Sequence, residues 1–291
     1  MTYVNTVKML QDTMHKNYVV GAFNIIDVTT MKAAIDAAIA KKSPLIIQTS
    51  QKTILQLGYK VLSNTAKFLA DEAGVDVAMM LDHGTDPEII RNCINNGWSA
   101  VMVDGSSKPF EENIRFTREI VEIAHENNVS VEGELGHIGG VEEHIIVDDG
   151  NVQLTDPDKI LEFKELSGVD SLAVAIGTQH GLYKGKVTLD FDRLEKIMKI
   201  AVFPIVIHGG SDLPEEDFKR IVSLNPAKMN ISTEIKHAYL DGFKEYINSS
   251  GNEYEPIKAI GIAYENTKKL IMNYMDRFGS TNKCLRDRGF K

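Results

Sequence analysis

Short apolar runs alternate along this chain with longer stretches of helical periodicity. The runs are VVGAFNI from Val19, PLIIQTS from Pro44, VAMMLDH from Val77 and SAVMVDGS from Ser99. They continue with SVEGELG from Ser130, SLAVAIGT from Ser171, PIVIHGGS from Pro204 and KMNIST from Lys228. Between them lie amphipathic stretches such as TTMKAAIDAAIAKK, DPEIIRNCINNG, PFEENIRFTREIVEIAHENN and DPDKILEFKELSG. Several open on Asp-Pro or Leu-Pro and several close on Gly or Asn, as helices do. Continuously apolar strands that alternate with helices predict a parallel sheet buried on both faces. Eight such units in 291 residues predict an α/β protein with a closed (β/α)8 TIM barrel, in preference to an open doubly wound sheet. No Pro/Ser-rich linker interrupts the pattern, so residues 1–291 are expected to form one domain.

Two segments depart from this economy. The Gly-, Glu- and Asp-rich stretch from Gly136 to Asp156, after the fifth strand, reads as a lid or a disordered loop. The stretch from Pro256 to Phe278 reads as an extra C-terminal helix that either caps the barrel or packs against another subunit.

Chemistry in a parallel barrel gathers at the C-terminal ends of the strands. Unusual polar residues stand there: Asn24, Ser50, Asp82 with His83, Asp104 with Ser106, and Glu132 with Glu134. His180, His208 with Ser211, and Asn230 with Ser232 and Thr233 follow. A single histidine at a strand end is usually a hydrogen-bonded rim residue. Three on one rim, His83, His180 and His208, point to a divalent-metal site with positions open to substrate. Asp104 and Glu134 either orient those imidazoles, bind a displaced or second metal, or join ordinary salt bridges. His15, His125 and His237 fall in helical stretches and read as surface residues, whereas His137 and His144 lie in the predicted lid, touching either substrate or solvent. Gly209-Gly210-Ser211 and Asn230-Ile231-Ser232-Thr233 follow the last two strands, where backbone N–H groups and hydroxyls cradle phosphate. The turn from Gly181 to Gly185 adds N–H groups and the Lys184 ammonium.

Composition narrows the classes. The net charge of -9, with no basic run, argues against nucleic acid as a partner. Two cysteines without CxxC spacing fit a reducing cytoplasm. No signal peptide is visible, and no apolar stretch is long enough to span a membrane.

At this point the sequence resembles the class II, metal-dependent fructose-bisphosphate and tagatose-bisphosphate aldolase family over nearly its whole length. The motifs are GAFN at Gly21, LDHG at Leu81, EGELGHIGGVEE at Glu132, AIGTQHGLYKG at Ala175, HGGSDLP at His208 and MNISTE at Met229. The resemblance implies a carbon–carbon lyase of carbohydrate metabolism and glycolysis, with zinc on His83, His180 and His208. It implies Asp82 as proton donor and acceptor, and Glu142 as a lid glutamate that exchanges the substrate carbon proton. Gly181, Gly209 to Ser211 and Asn230 to Thr233 would hold dihydroxyacetone phosphate, and Asp104 and Glu134 match a second or alternative metal position. Potassium or sodium near the phosphate loops is common in the family, as are homodimers and homotetramers.

The chemistry agrees with these residue types. Cleaving a carbon–carbon bond beside a ketone needs an electron sink, either a lysine Schiff base or a metal. No lysine ends a predicted barrel strand, since Lys228 stands near the start of the eighth. Asp82 would take the C4 hydroxyl proton in cleavage and return it in condensation. One departure matters. Bisphosphate-cleaving members carry Asp-Pro-Arg-Lys before the C-terminal helix, and that arginine grips the distal phosphate; here Glu255-Pro256-Ile257-Lys258 stands instead. A different or monophosphorylated ketose is therefore expected. A metal-dependent sugar-phosphate isomerase or epimerase, and a non-catalytic sugar-phosphate-binding subunit of a larger assembly, are the competing readings.

Overall fold

A computed structural model of the chain describes residues 2–142, 145–147, 152–183, 188–251 and 253–284, with the backbone alone at 141, 142 and 145–147. Its strands are β1 (Val20–Asn24), β2 (Leu45–Ser50), β3 (Val77–Gly84), β4 (Ala100–Val103), β5 (Ser130–Leu135), β6 (Gly139–Glu142), β7 (Ile145–Val147), β8 (Ser171–Val174), β9 (Gln179–His180), β10 (Ile205–Ile207) and β11 (Lys228–Ile231). Eight of them close a parallel barrel in the order β1-β2-β3-β4-β5-β8-β10-β11 and back to β1. These are the eight apolar runs of the sequence, and the TIM barrel expected from them is the fold observed.

The helices are α1 (Thr6–Lys16), α2 (Val28–Lys41), α3 (Gln51–Leu57), α4 (Tyr59–Ala73), α5 (Pro87–Asn95) and α6 (Phe110–Glu126). They continue with α7 (Ile160–Ser167), α8 (Phe191–Ile200), α9 (Glu215–Ser223), α10 (Thr233–Ser249) and α11 (Pro256–Arg277). Their starts follow local chemistry. Asp86 and Asp190 cap α5 and α8 through their carboxylates, Ser50 caps α3, and Asp27 with Thr30 forms a reciprocal capping box on α2.

Two apolar layers result. The larger lies between strands and helices. The smaller fills the barrel: Val20, Ala22, Ile46, Ala78, Met80, Ala100, Met102, Ala173 and Val206, closed below by Met9 and Leu10 of α1. Period-two alternation puts these residues inside and carries the same rows upward into Asn24, Gln48, Asp82, Asp104, Glu132, Glu134 and Asn230.

The described part of the stretch after β5 holds regular structure. Strand β6 pairs antiparallel with β7 and parallel with β9, a three-stranded sheet beside the barrel mouth. Helix α11 does not lie across an end of the barrel. It runs along the flank, where Tyr274 and Phe278 pack on Phe23 and Phe218. Among the described residues no helix is long and apolar enough to cross a membrane.

Candidate active site

Asp82 and His83 are consecutive on β3, and strict alternation would send one of them outwards. His83 instead adopts the left-handed conformation (φ 47°), and the β3–β4 register shifts between Leu81 and Gly84. This bulge lets both side chains serve one site. His208 follows β10 directly and is fully buried. His180 corrects the expectation of a third barrel strand end. Strand β8 stops at Val174, the Ala175 N–H turns to the Thr155 hydroxyl (2.7 Å), and Gly177 takes a left-handed conformation that ends the run. His180 arrives on β9, carried by the side sheet. Gly140 of β6 must be glycine for this, because a Cβ there would stand 2.2 Å from the His180 carbonyl oxygen.

The three imidazoles nevertheless converge. His83 meets His180 and His208 with ring centroids 4.8 Å away in each case. One nitrogen from each of the three lies within 4.8 Å of the others, and all three residues are buried. Hydrogen bonding fixes which nitrogens face inwards. A carboxylate only accepts, so His83 donates Nδ1–H to Asp104 Oδ2 (2.8 Å) and His208 donates Nε2–H to Glu132 Oε1 (3.0 Å). That leaves His83 Nε2 and His208 Nδ1 facing each other at 3.0 Å. Two ring nitrogens aimed at one point from carboxylate-held imidazoles form the donor arrangement a divalent cation takes, so the residues present fit a metal.

Electrostatics split the two rings: His83 favours its charged form, whose proton a cation would have to displace, and His208 favours its neutral one. Burial works against a charge on His83, but Asp82, Asp104 and Glu134 outweigh it and hold this imidazole well above the usual histidine range. Burial, with the positive charges of His83 and Lys228, holds His208 well below that range, as a neutral ligand must be. Asp104 resists its burial through the His83 bond and stays well below the usual carboxylate range, with Ser106 donating to its second oxygen. Burial and the neighbouring Asp104 push Glu134 well above that range. His83, Asp104 and Glu134 form a second group whose ligand atoms also lie within 4.8 Å of one another.

Asp82 is buried beside the triad and held from both sides. Asn24 donates to Oδ2 (2.7 Å), Asn230 donates to Oδ1 (3.2 Å), and Gln48 in turn donates to Asn24 (2.7 Å). A neighbouring pocket is lined by His180, Gly181, Gly209, Ser211, Asn230, Ser232 and Thr233. Gly181 and Gly209 have positive φ there, and α10 points its N-terminus from Thr233. Asn230 Oδ1 and Ser232 Oγ are buried without a hydrogen-bond partner among the described residues. The Ser232 hydroxyl can donate and, beside a helix N-terminus, suits an anion, whereas Asn230 Oδ1 only accepts and suits a hydroxyl or other donor.

Other expected residues fall differently. Gly210 directs its N–H to the Asn230 carbonyl (3.0 Å) and packs against Met229, so it shapes the turn and does not line the pocket. The Ser50 hydroxyl caps α3, and Asn24 faces Asp82. His137 bridges to Gln153 through its backbone. Lys184 and His144 lie outside the described residues; Glu142 is described by its backbone alone, on β6. Gln48 and the fully buried Lys228, which contacts Glu132 at 3.0 Å, were not singled out as site residues. Their signal was available: each is a polar residue at an inward position of an otherwise apolar strand.

Comparison with known proteins gives the same direction. The family model "Fructose-bisphosphate aldolase class-II" matches residues 4–283. The chain is 37% identical over 284 residues to a sulfofructosephosphate aldolase from Alkalicoccus urumqiensis, covering 98% of this chain and 99% of that one. It is 37% identical over 287 residues to a fructose-bisphosphate aldolase from Geobacillus stearothermophilus, covering 98% and 99%. The crystal structure of the YdjI aldolase from Escherichia coli K12 superposes with a TM-score of 0.86 at 32% identity, covering 97% of this chain and 100% of that one. A metal-compatible imidazole cluster at the mouth of a TIM barrel, matched from end to end by such relatives, places this chain in the class II fructose-bisphosphate aldolase family of carbon–carbon lyases.

Proposed function

We propose that this chain is a zinc-dependent aldolase that reversibly cleaves a ketose phosphate to dihydroxyacetone phosphate and an aldehyde. The observation that carries this is the mutual approach of His83 Nε2 and His208 Nδ1, each ring held from behind by a carboxylate. His83, His180 and His208 would hold the ion, with Asp104 and Glu134 offering an alternative position through His83. When bound, such an ion supplies the Lewis acid that stabilises an enediolate.

The remaining work belongs to the chain. Asp82 has both oxygens oriented by amide donors, and it accepts the C4 hydroxyl proton as the C3–C4 bond breaks, returning it in condensation. Ser211, Ser232, Thr233 and the backbone at Gly181 and Gly209 grip the phosphate of the three-carbon fragment. Glu142 sits on the strand that pairs with the one bearing His180, which supports a role in exchanging the substrate carbon proton. Lys228 is excluded as a Schiff base former by its burial against Glu132.

The aldehyde portion is set elsewhere. Ile257 is 68% exposed at the start of α11, and Lys258 pairs with Glu253. Neither offers a clamp for a distal phosphate. Relatives of equal identity are named for different substrates, so identity does not choose among sugars. We favour a ketose lacking the distal phosphate. Exposed Leu240, Ile247, Tyr254 and Ile257 on and between α10 and α11 support a homo-oligomer. A panel of fructose and tagatose bisphosphates against ketose 1-monophosphates, coupled to dihydroxyacetone phosphate detection, tests the reading. A wide kcat/KM preference for fructose 1,6-bisphosphate would refute the assignment of the distal end.

A further inference from the structure

Lys228 begins the last barrel strand, in register with Val20 and Val206 near the barrel floor. Its side chain is fully buried, and its Nζ reaches Glu132 Oε1 at 3.0 Å. Strand β5, which carries Glu132, is not a neighbour of β11, because β8 and β10 stand between them. The ion pair therefore crosses the barrel interior. Small residues make room for it: Ala22, Ala78, Ala100 and Ala173 belong to the interior cluster. Burying an ammonium and a carboxylate costs more than apolar side chains of similar volume would, so packing alone gives no reason for the pair.

The contacts of Glu132 give one. The oxygen that meets Lys228 also accepts from His208 Nε2 at 3.0 Å, and the other oxygen accepts from the Ser171 hydroxyl at 3.4 Å. Glu132 is thus fixed at both ends. We propose that Lys228 is a positioning residue for the metal site. Its ammonium anchors Glu132, and Glu132 keeps the proton of His208 on Nε2 so that Nδ1 remains the ligand atom. The inference rests on the metal reading above and extends it two residues below the imidazoles.

Cobalt(II) added to metal-free protein tests it, since visible d–d bands report coordination and a chelator competition reports affinity. Lys228→Met is expected to weaken cobalt binding about 10- to 100-fold and to change the bands. Lys228→Met/Glu132→Gln keeps an acceptor for His208 without a buried charge. It should fold, bind cobalt more weakly than the parent, and lose no more affinity than Lys228→Met does. Parental affinity and bands in the double variant would overturn the proposal, and so would losses that multiply between the two substitutions. Should Lys228→Met fail to fold, Glu132→Gln alone is compared with the double variant: equal cobalt affinity supports a role of Lys228 through Glu132, and a further loss in the double variant overturns it. A parent protein that binds no cobalt would remove the metal reading itself, a result distinct from a variant that binds as the parent does.

Discussion

The lower and upper halves of the barrel interior are made by the same strands and obey different rules. Below, Val20, Ile46, Ala78, Ala100, Ala173 and Val206 are apolar, and the buried Lys228 in register with Val20 and Val206 sends its ammonium to Glu132. Two to four residues further along the same rows stand Gln48, Asp82, Asp104 and His208, each buried and each held by a named hydrogen bond. Burial is equally complete in both halves; what differs is whether neighbours satisfy the buried group or leave it reaching. The lower half has nothing left to bind. The upper half keeps two imidazole nitrogens turned towards each other at 3.0 Å, and Asn230 Oδ1 and Ser232 Oγ without a partner among the described residues.

This contrast can be broken or sharpened by experiment. Removing divalent metal with EDTA should abolish cleavage and leave the fold intact, because the lower half does not depend on the ion; zinc or cobalt should restore turnover. Full activity in chelator would exclude the mechanism. Asp82→Asn should lower kcat by about 10²- to 10⁴-fold, with metal content unchanged by atomic absorption. Near-normal turnover would remove Asp82 from proton transfer. Ile46→Ala moves the test to the lower half: about 2–5 kcal/mol of stability lost in denaturant titration, with turnover per folded molecule preserved.

Ser232→Ala separates the halves most finely. Its unpartnered hydroxyl is a liability in the free protein, so stability should hold or rise slightly, while KM for the phosphate ester rises about tenfold. A fall in stability without a change in KM would count against an anion pocket. The smallest effect is expected under the barrel floor. Asp12 on α1 is held below the usual carboxylate range chiefly by Lys16, against a burial that raises it, with Lys8 assisting. Its contribution is present above the ordinary carboxylate range and disappears as pH falls through the lowered value. Asp12→Asn should cost about 0.3–0.5 kcal/mol at neutral pH and nothing in strong acid.

The barrel was legible because buried parallel strands are continuous apolar runs, and all eight were read within a few residues. His83, Asp82 and His208 were legible for the same reason, since each interrupts such a run where chemistry collects. His180 was assigned to the wrong element. Its run continues past Val174 through Ala175 and Ile176, both buried, so hydrophobicity alone does not mark where the strand stops. Gln48 and Lys228 were passed over because one polar residue inside an apolar run resembles noise until the opposite wall is known. Pairing across a barrel is a property of closure, which no local pattern contains. Glu132 was noted at the rim, but its partners Ser171, His208 and Lys228 all lie far along the chain.

The side sheet has one more consequence. Two imidazoles are fixed by the barrel wall and the third by a strand that pairs with a hairpin beside it. A one-residue insertion in the segment from Gly136 to Glu142 would therefore slide His180 relative to the other two without disturbing a barrel hydrogen bond. The scaffold and the reach of the third imidazole are separately adjustable, so loop length can change the geometry of the cluster while the core stays unchanged.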